Sequence, residues 1–293
     1  MNEKTELRFL VAPEFDGCCV REFLRACDVS ATLLKAVKKQ GGFWIDETPV
    51  RTCDVVRQGQ AVRFCLPPES PTAVVPQDLP ICIAYESEHV MVVDKPAGMA
   101  VHPTLNYKDG TLANAYMGLL KKRGQSGIFR PVNRLDKDTS GLVLLAKNVW
   151  AAPILAKTVC KQYYAIVEGL PAERGIIDAP IGRAPNSIIL RRVDPEGKPS
   201  LTEYVREQNQ NDFSLVRILL HTGRTHQIRV HFSHIGHPLA GDELYGGSRN
   251  KISRHALHCT ELFFEEPVSK EKIRVRSVLP QDMAELILET SKS

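Results

Sequence analysis

The sequence predicts an α+β fold in which helices are interspersed among a larger number of strands. Of its 293 residues, 43% are hydrophobic and 25% are charged, which is the balance of an ordinary soluble globular protein. Segments with strand composition outnumber helical patterns, and they lack the regular alternation with helices that a doubly wound parallel sheet requires. Five prolines in residues 67–80 exclude a helix or a central strand there. We therefore expect a small N-terminal module at 1–66, an extended linker at 67–80 and a larger body at 81–293.

The N-terminal module is expected to contain two helices followed by short strands. The segment DGCCVREFLRA has helical spacing, and Asp16 at its start is a candidate cap. A second helix fits SATLLKAVKKQGG, where Ser30 can cap the first turn and Gly41 can end the helix. The segments FWIDETPV and GQAVRFCL have the composition of short strands around turns.

The elements of the body follow from the same rules. The segment ICIAYESEHVMVVDKPAGMAVHP predicts two strands around a turn and then a Lys-Pro-Ala-Gly loop. Residues 110–122 have apolar positions at helical spacing, and PQDMAELILET fits a final helix with Pro280 near its start. The segment IGRAPNSIILRRVDPEGKPSLTEY predicts a hairpin. Further strands are expected at 142–146, 163–167, 203–206, 214–220 and 273–276.

Charge and cysteine content bear on the partner and the location of the protein. The net charge of +4 favours a polyanionic partner only weakly. The polar start MNEKTEL indicates no signal peptide, and no apolar run approaches the roughly 18 residues of a membrane span. The eight cysteines form no CxxC pair; five lie in the first 65 residues, so an N-terminal disulfide framework is conceivable. Buried thiols in a reducing cytosol are the better interpretation, and we expect a cytoplasmic protein.

The segment NRLDKDTSG, residues 133–141, places charged residues directly before the apolar run LVLLAK. Turn chemistry accounts for residues 138–141, because Asp and Thr bond nearby backbone and glycine supplies a positive φ. It does not account for Arg134 and Asp136, which flank Leu135. If Leu135 points into the core, both charged side chains point away from it. A carboxylate held near arginines at a strand edge keeps its charge and is suited to nucleophilic or electrostatic catalysis.

A second unusual segment, residues 219–247, contains five of the nine histidines. Their spacing matches neither HExxH nor a Cys/His ligand pattern, so we do not expect a metal site. Arg224, His226 and Arg229 instead offer charged donors and a flat ring, which suit phosphates and bases. A basic loop that contacts only solvent is an equal alternative on the residues alone.

Four segments, in this order, closely resemble RluA-type pseudouridine synthases: VMVVDKPAGMAVHP, NRLDKDTSGLVLLAK, KQYYAIVEG and GRTHQIRVHFSHIGHPLAGDELYG. The resemblance covers nearly all of residues 80–285 and implies a mixed, mainly antiparallel sheet flanked by helices and loops. Asn133 stands where the family usually has His. The N-terminal module, with KKQGGFWIDETPVRTCDVVRQGQAVRF, resembles the αL-type (S-four) RNA-binding domain, although Ala31 replaces the usual Arg after Ser30.

The resemblance implies an isomerase that acts on a uridine flipped out of structured RNA. Asp136 resembles the family's essential aspartate, which attacks the target nucleotide so that the base detaches, rotates and reattaches through carbon. Attack on the sugar and attack on the base ring both remain open. Arg229 matches the basic residue that pairs with this carboxylate, Tyr163 the ring that stacks on the target base, and Arg134 the side chain that enters the RNA stack. The reaction moves no electrons and adds no group, so neither a cofactor nor a metal is implied.

We expect further basic side chains to contact RNA: Lys95, Arg183, Arg192, Arg224, His226 and a helical stripe of Lys35, Lys38 and Lys39. Each of them can equally be a solvated surface charge. The family most often modifies 23S ribosomal RNA, with transfer RNA as the alternative target, and its members are usually monomers. The second hypothesis is a non-catalytic RNA-binding ribosome-assembly factor, although binding alone needs no carboxylate that faces phosphate.

Overall fold

A computed structural model describes residues 5–69, 72–104 and 107–288. Within these ranges the strands form two sheets and a separate hairpin, and six α-helices accompany them. Helices and strands follow no repeating βαβ order along the chain. The predicted α+β class is therefore confirmed.

The N-terminal residues form a four-stranded antiparallel sheet. Its strands are Glu6–Leu10 (β1), Phe43–Ile45 (β2), Thr48–Val50 (β3) and Ala61–Cys65 (β4). They lie in the order β1-β4-β2-β3. Two helices, Val20–Ala26 (α1) and Ala31–Gln40 (α2), share an apolar core with this sheet. The predicted order of two helices followed by short strands is present, with β1 added before it.

The caps of the two helices differ in how well the sequence predicted them. Ser30 caps α2 as expected, because its Oγ accepts a backbone N–H of the first turn at 3.1 Å. Helix α1 begins later than expected, after Cys19, whose N–H donates to the Glu22 carboxylate at 3.1 Å. The Asp16 carboxylate accepts the N–H of Gln58 at 2.9 Å. Asp16 therefore joins two loops and does not cap the helix.

Trp150 joins the N-terminal sheet to the body. Its indole N–H donates to the carbonyl of Cys27 at 3.1 Å, and its ring lies edge-on to Phe9 with the centroids 5.3 Å apart. An ion pair between Lys270 and Asp28, at 3.0 Å, joins the same two parts of the chain. The small sheet is therefore held against the body by apolar, hydrogen-bonded and ionic contacts.

The described part of the proline-rich segment, residues 67–69 and 72–80, contains no strand or helix. It lies along the helix Leu112–Lys122 (α3), where Asn114 Nδ2 donates to the carbonyl of Val75 at 2.8 Å. At Gly118 an added Cβ would lie 1.9 Å from the carbonyl oxygen of Gln77, so this approach requires glycine. The domain boundaries on either side of the segment stay a prediction.

The body contains the larger sheet. Its strands are Cys82–Glu86 (β5), Val90–Lys95 (β6), Ser140–Ala146 (β7), Cys160–Glu168 (β8), Arg174–Asp178 (β9), Leu201–Gln210 (β12), Phe213–Leu220 (β13), Leu257–Glu265 (β14) and Lys272–Arg276 (β15). Strands Ile181–Arg183 (β10) and Arg191–Val193 (β11) form the predicted hairpin. The order is β5-β6-β7-β14-β8-β13-β12-β9, and β15 pairs with β14. Among the described pairings only β7 with β14 is parallel, so the mixed, mainly antiparallel sheet is confirmed.

Each strand that the sequence predicted in the body lies within an observed strand. The central strand β14 was missed. Three polar residues, His258, Thr260 and Glu261, interrupt its apolar pattern, yet all three are buried. They are buried because partners from other segments bond to them, which no local pattern reveals.

The remaining helices of the body are Ala151–Thr158 (α4), Gln227–His234 (α5) and Gln281–Leu288 (α6). Helices α3 and α6 were predicted, although the last two residues expected for α6 lie outside the described ranges. Helices α4 and α5 were not predicted, and α5 occupies the histidine-rich segment. No helix among the described residues has the length and apolar character needed to span a membrane.

Strand β7 is buried along its whole length, as its apolar run predicted. The start of the strand depends on Gly141, its second residue, which has a φ of +106°. An added Cβ there would lie 2.2 Å from the carbonyl oxygen of Cys259 on β14. Glycine therefore permits the parallel pairing of β7 and β14. That pairing fixes the position at which the charged segment before β7 ends.

Candidate active site

The segment before β7 is fastened to the strand by Asn133. Its Nδ2 donates to the carbonyl of Leu142 at 3.1 Å, and its Oδ1 accepts the N–H of Leu144 at 2.7 Å. Leu135 is buried, and it lines a cavity of about 910 Å³ together with the residues on either side of it. The buried amide of Asn133 thus anchors the loop from which Asp136 reaches the cavity.

Asp136 carries a partly exposed carboxylate in this cavity, with 30% of the side chain accessible. Its Oδ2 lies 3.2 Å from Nη1 of Arg229 and 3.7 Å from Nε2 of His226. Arg229 is 93 residues away in the sequence. The carboxylate therefore faces one fixed cation and one imidazole, and the rest of it faces open space.

Arg229 is held between two carboxylates. Its Nε and Nη2 each donate to an oxygen of Asp242 at 2.7 Å, and Nη1 donates to Asp136 at 3.2 Å. The guanidinium also lies over the ring of Tyr245, 4.9 Å from its centroid. Burial lowers the pKa of Arg229, but the hydrogen bonds and charges of Asp242 and Asp136 outweigh burial and raise it above its ordinary value. Arg229 therefore stays cationic, and Asp242 fixes its direction.

Asp242 was not predicted as a site residue. It is buried on the cavity wall, and both of its oxygens are occupied by Arg229. The signal in the sequence was weak but present, since Asp242 is one of only two acids in a segment rich in histidine and arginine. A buried acid in a basic segment needs a cationic partner.

His226 directly precedes α5 in the left-handed conformation, with a φ of +58°. Non-glycine residues adopt this conformation infrequently. Its Nδ1 lies 2.8 Å from Oη of Tyr245. Burial lowers the pKa of His226, although nearby Asp136 opposes this shift. The ring is therefore neutral at pH 7 and does not compete with Arg229 as the counter-charge of Asp136.

Tyr163 lies on β8 opposite Cys259 of β14 and lines the same cavity. Its side chain is buried. Burial raises the pKa of Tyr163 well above its ordinary value, and neighbouring Cys259 and Asp136 raise it further. The phenol therefore stays protonated and offers a neutral, flat ring on the cavity wall, which suits a nucleobase.

Lys95 does not occupy the position expected of an RNA contact. Its side chain is fully buried, and its Nζ donates to the carbonyls of Pro96 at 2.9 Å, Met99 at 2.8 Å and Lys137 at 3.0 Å. Burial lowers the pKa of Lys95 to about 7. The prediction that Lys95 binds RNA directly is wrong, because its three donors join the Lys-Pro-Ala-Gly loop to the loop of Asp136 and none is free for a phosphate.

The other predicted RNA contacts fall into two groups. Arg134 and Arg224 are exposed and line the cavity together with His226. The second group is exposed but lies outside the cavity lining, on the β10–β11 hairpin and on α2: Arg183, Arg192, Lys35, Lys38 and Lys39. Contact of either group with RNA stays a prediction.

Two further contacts at the cavity were not predicted. The Thr139 Oγ1 lies 2.8 Å from Nε2 of buried His255. Burial, together with the charge of Arg229, lowers the pKa of His255 to about 3. The ammonium of Lys137 lies 4.3 Å from the ring centroid of Tyr107. His255 and Tyr107 both line the cavity, but neither lies in the two unusual segments, residues 133–141 and 219–247, that the sequence pattern pointed to.

Three of the remaining histidines of the 219–247 segment have separate partners. His221 lies 3.0 Å from Glu203, buried His231 is 2.9 Å from Thr202, and His237 contacts a backbone carbonyl at 2.9 Å. Across residues 5–69, 72–104 and 107–288, no three or more His, Cys, Asp or Glu side chains are grouped so as to hold a metal ion.

Comparison with known proteins gives a consistent result. A model of the RNA pseudouridylate synthase family matches residues 89–234. The uncharacterized RNA pseudouridine synthase YjbO of Bacillus subtilis (strain 168) is 38% identical over 276 residues, which cover 92% of this chain and 98% of that protein. The ribosomal large subunit pseudouridine synthase D of Xanthomonas campestris pv. campestris is 37% identical over 270 residues, 85% of this chain and 81% of that protein.

Solved structures share the fold. The human RNA pseudouridylate synthase domain containing 1 aligns with a TM-score of 0.57 and 26% identity, over 77% of this chain and 98% of that chain. The human RNA pseudouridylate synthase domain containing 4 aligns with a TM-score of 0.58 and 22% identity, over 72% of this chain and 93% of that chain.

Proposed function

Because this chain belongs to the RNA pseudouridylate synthase family and is an isomerase acting on RNA, we propose that Asp136 is the nucleophile with which it converts uridine to pseudouridine. The observation that carries this proposal is the Asp136 carboxylate, which faces a cavity of about 910 Å³ with Arg229 at 3.2 Å. A cavity of this size matches those that enclose small ligands such as a flipped nucleotide. A surface used only to bind RNA would gain nothing from a carboxylate at this place.

The reaction is an internal rearrangement. The bond between sugar C1′ and uracil N1 breaks, a bond between C1′ and C5 forms, the proton on C5 is lost and N1 regains one. Asp136 attacks either the sugar or the base ring, and the base is then free to rotate. Arg229 holds the attacking carboxylate in place and offsets its charge in a partly desolvated site.

Two further side chains act on the bases. Tyr163 stacks its neutral ring on the target uracil inside the cavity, close to the reacting carbons. Arg134, exposed beside Asp136, enters the space that the flipped uridine leaves in the RNA stack. Extruding a base costs a few kcal/mol, which the stacking on Tyr163 and the inserted Arg134 offset.

We propose 23S ribosomal RNA as the substrate, with transfer RNA as the alternative. The proposal is supported by relatives named for the large ribosomal subunit, such as the synthase D of Xanthomonas campestris at 37% identity. The N-terminal module adds the exposed stripe of Lys35, Lys38 and Lys39, which can follow a phosphate backbone. Such a substrate places the enzyme in the cytoplasm.

The experiment that tests this function is a pseudouridine map of total RNA, made by carbodiimide labelling and primer extension. Cells that lack the protein are compared with the same cells complemented by wild type, Asp136→Asn or Asp212→Asn. Asp212 is an exposed turn residue outside the cavity lining and serves as the matched control. We expect one or more sites to vanish without the protein and to return with wild type and Asp212→Asn but not with Asp136→Asn.

The map also separates the competing hypotheses. A lost site in transfer RNA would change the proposed substrate and keep the proposed nucleophile. If no site changes while the protein still binds RNA, the non-catalytic assembly factor takes the place of the synthase. If Asp136→Asn restores the site, Asp136 is not the nucleophile.

A further inference from the structure

Three large apolar side chains are exposed beside the cavity that contains Asp136. Ile188 is 80% exposed, Ile189 is 56% exposed and Leu244 is 46% exposed. Ile189 and Leu244 line the cavity, and Ile188 directly precedes Ile189 in the chain. Large aliphatic side chains that are open to water at the rim of a site favour a surface that contacts a partner.

The two isoleucines belong to the loop of residues 184–190 between β10 and β11, which its own hydrogen bonds hold in shape. Ser187 Oγ accepts the N–H groups of Ile189 at 3.3 Å and Leu190 at 2.9 Å. Nη1 of Arg191 donates to the carbonyls of residues 188, 189 and 190 at 3.4, 3.3 and 3.2 Å. Several backbone groups are therefore bonded within the loop, and its isoleucine side chains are presented outward.

The loop is tied to the candidate active site through Tyr245. The N–H of Arg191 donates to Oη of Tyr245 at 3.1 Å, and the same oxygen lies 2.8 Å from Nδ1 of His226. Leu190 packs on the apolar cluster that contains Tyr245. The exposed isoleucines therefore keep a set position relative to Asp136.

Exposed arginines lie near these apolar groups along the chain or on the cavity wall. Arg192 is exposed on β11, next to the loop, and pairs at 3.2 Å with Asp194. Arg249 is exposed and pairs at 3.2 Å with Glu243, the neighbour of Leu244. Arg224 is exposed on the cavity wall. Guanidinium groups suit phosphates and aliphatic surfaces suit the flat faces of bases, so this combination matches single-stranded RNA.

We propose that Ile188, Ile189 and Leu244 form an apolar platform that contacts the bases of unpaired nucleotides next to the target uridine. The inference rests on the proposed function, because it is continuity with the cavity of Asp136 that favours RNA over a protein partner. A nucleotide that enters this cavity brings its neighbours over the rim that these side chains form. Contact with the platform keeps those neighbours unstacked from the duplex while the uridine is flipped.

The kinetic test compares the double variant Ile188→Ser/Ile189→Ser with Ile176→Ser. Ile176 is 69% exposed on β9 and does not line the cavity, so it is a matched control for the loss of an exposed isoleucine. The substrate is a transcript of the RNA located by pseudouridine mapping, or a 23S transcript if mapping finds none. We expect kcat/KM of the double variant to fall about 10- to 100-fold, with Ile176→Ser close to wild type.

Salt dependence shows what kind of contact is lost. Because the isoleucines carry no charge, the double variant should bind the transcript more weakly at every salt concentration without a change in the slope of log K against log salt. Arg192→Gln should instead reduce that slope by about one. A changed slope in the double variant would mean that the loop acts through its phosphate contacts, and the platform would be refuted.

Crosslinking tests the contact without requiring activity. Asp136→Asn protein is irradiated with the transcript made with 4-thiouridine and then digested with trypsin. Peptide 184–191 should carry the crosslink, and peptide 175–183, which contains Ile176, should not. A crosslink at 184–191, together with wild-type protein that makes no pseudouridine in the transcript or in cells, would sink the proposed function and leave the platform standing. An unmodified peptide 184–191, or a double variant with wild-type kcat/KM and affinity, would overturn the platform.

Discussion

Replacing Asp242 with Asn is expected to slow the reaction while leaving RNA binding almost unchanged. Asp242 is buried and touches Arg229 with both oxygens, at 2.7 Å each. Both oxygens are taken up by Arg229, which stands between Asp242 and Asp136. Its role is to hold the guanidinium so that Nη1 faces the attacking carboxylate.

The magnitude follows from the two hydrogen bonds. Asn can accept from only one of the two guanidinium N–H groups, and its own NH₂ would face the other. A hydrogen bond to a charged group contributes about 1.5–3 kcal/mol, and a buried donor without a partner costs a similar amount. Because Arg229 keeps its hydrogen bond to Asp136, we expect the interaction free energy that holds the guanidinium to fall by only about 2–3 kcal/mol. If this loss appears in the transition state, kcat falls about 30- to 160-fold.

Single-turnover formation of pseudouridine with saturating enzyme measures this effect, with filter binding of the same transcript and urea unfolding beside it. The matched control is Glu261→Gln. Glu261 is also buried and pairs with Arg274 at 2.7 Å, but it does not line the cavity. The control variant should lose stability and keep its rate. A rate for Asp242→Asn within about threefold of wild type would refute the assignment of Asp242 as a positioning residue.

Three further outcomes are expected. Lys95→Met should lower the free energy of unfolding, measured in urea, by about 2–4 kcal/mol, because three carbonyls lose their donor. The salt dependence of RNA binding should not change. A shallower slope of log K against log salt would restore Lys95 as a phosphate contact. Burial lowers the pKa of His255 to about 3 and of His258 to about 4. Since the unfolded chain takes up protons first as the pH falls below about 6.5, stability present above that pH should drop by roughly 1.5–2 kcal/mol per histidine by pH 5. An Asn variant of either residue that keeps the full acid slope would contradict this. Gly141→Ala should lower the free energy of unfolding by about 3 kcal/mol or more, since the added Cβ would lie 2.2 Å from a backbone oxygen. Gly98→Ala, where φ is +81° but the space is open, should lower it by about 1 kcal/mol. Equal losses for the two variants in urea unfolding would contradict the steric argument.

Local patterns predicted most of the elements because each pattern is a property of neighbouring residues. The apolar run after Gly141 predicted the buried strand β7, and Ser30 predicted the start of α2. Motif order along the chain was sufficient to select Asp136, Tyr163 and Arg229, whose roles remain proposals. In each case the signal lay within a few residues of the position that it described.

One cause of failed prediction was a polar residue that is buried by a distant partner. Strand β14 and helix α5 were missed because their buried polar side chains break the apolar pattern. Lys95 was expected on the surface, since a lysine in a loop is usually solvated. Its partner at Lys137 lies 42 residues away, and no spacing in the sequence reports that contact.

The sequence by itself determined the class of fold, most of the strands and helices, and the kinds of chemical groups present in two motifs. Only the tertiary structure decided which charge meets which. Arg229 lies between Asp136, 93 residues before it, and Asp242, 13 residues after it. Hydrogen bonds and ion pairs act through space over about 3 Å, whereas hydrophobic periodicity relates residues two to four positions apart. The direction of the Arg229 guanidinium at Asp136 therefore results from the packing of the sheet and α5. No single segment of the sequence specifies it.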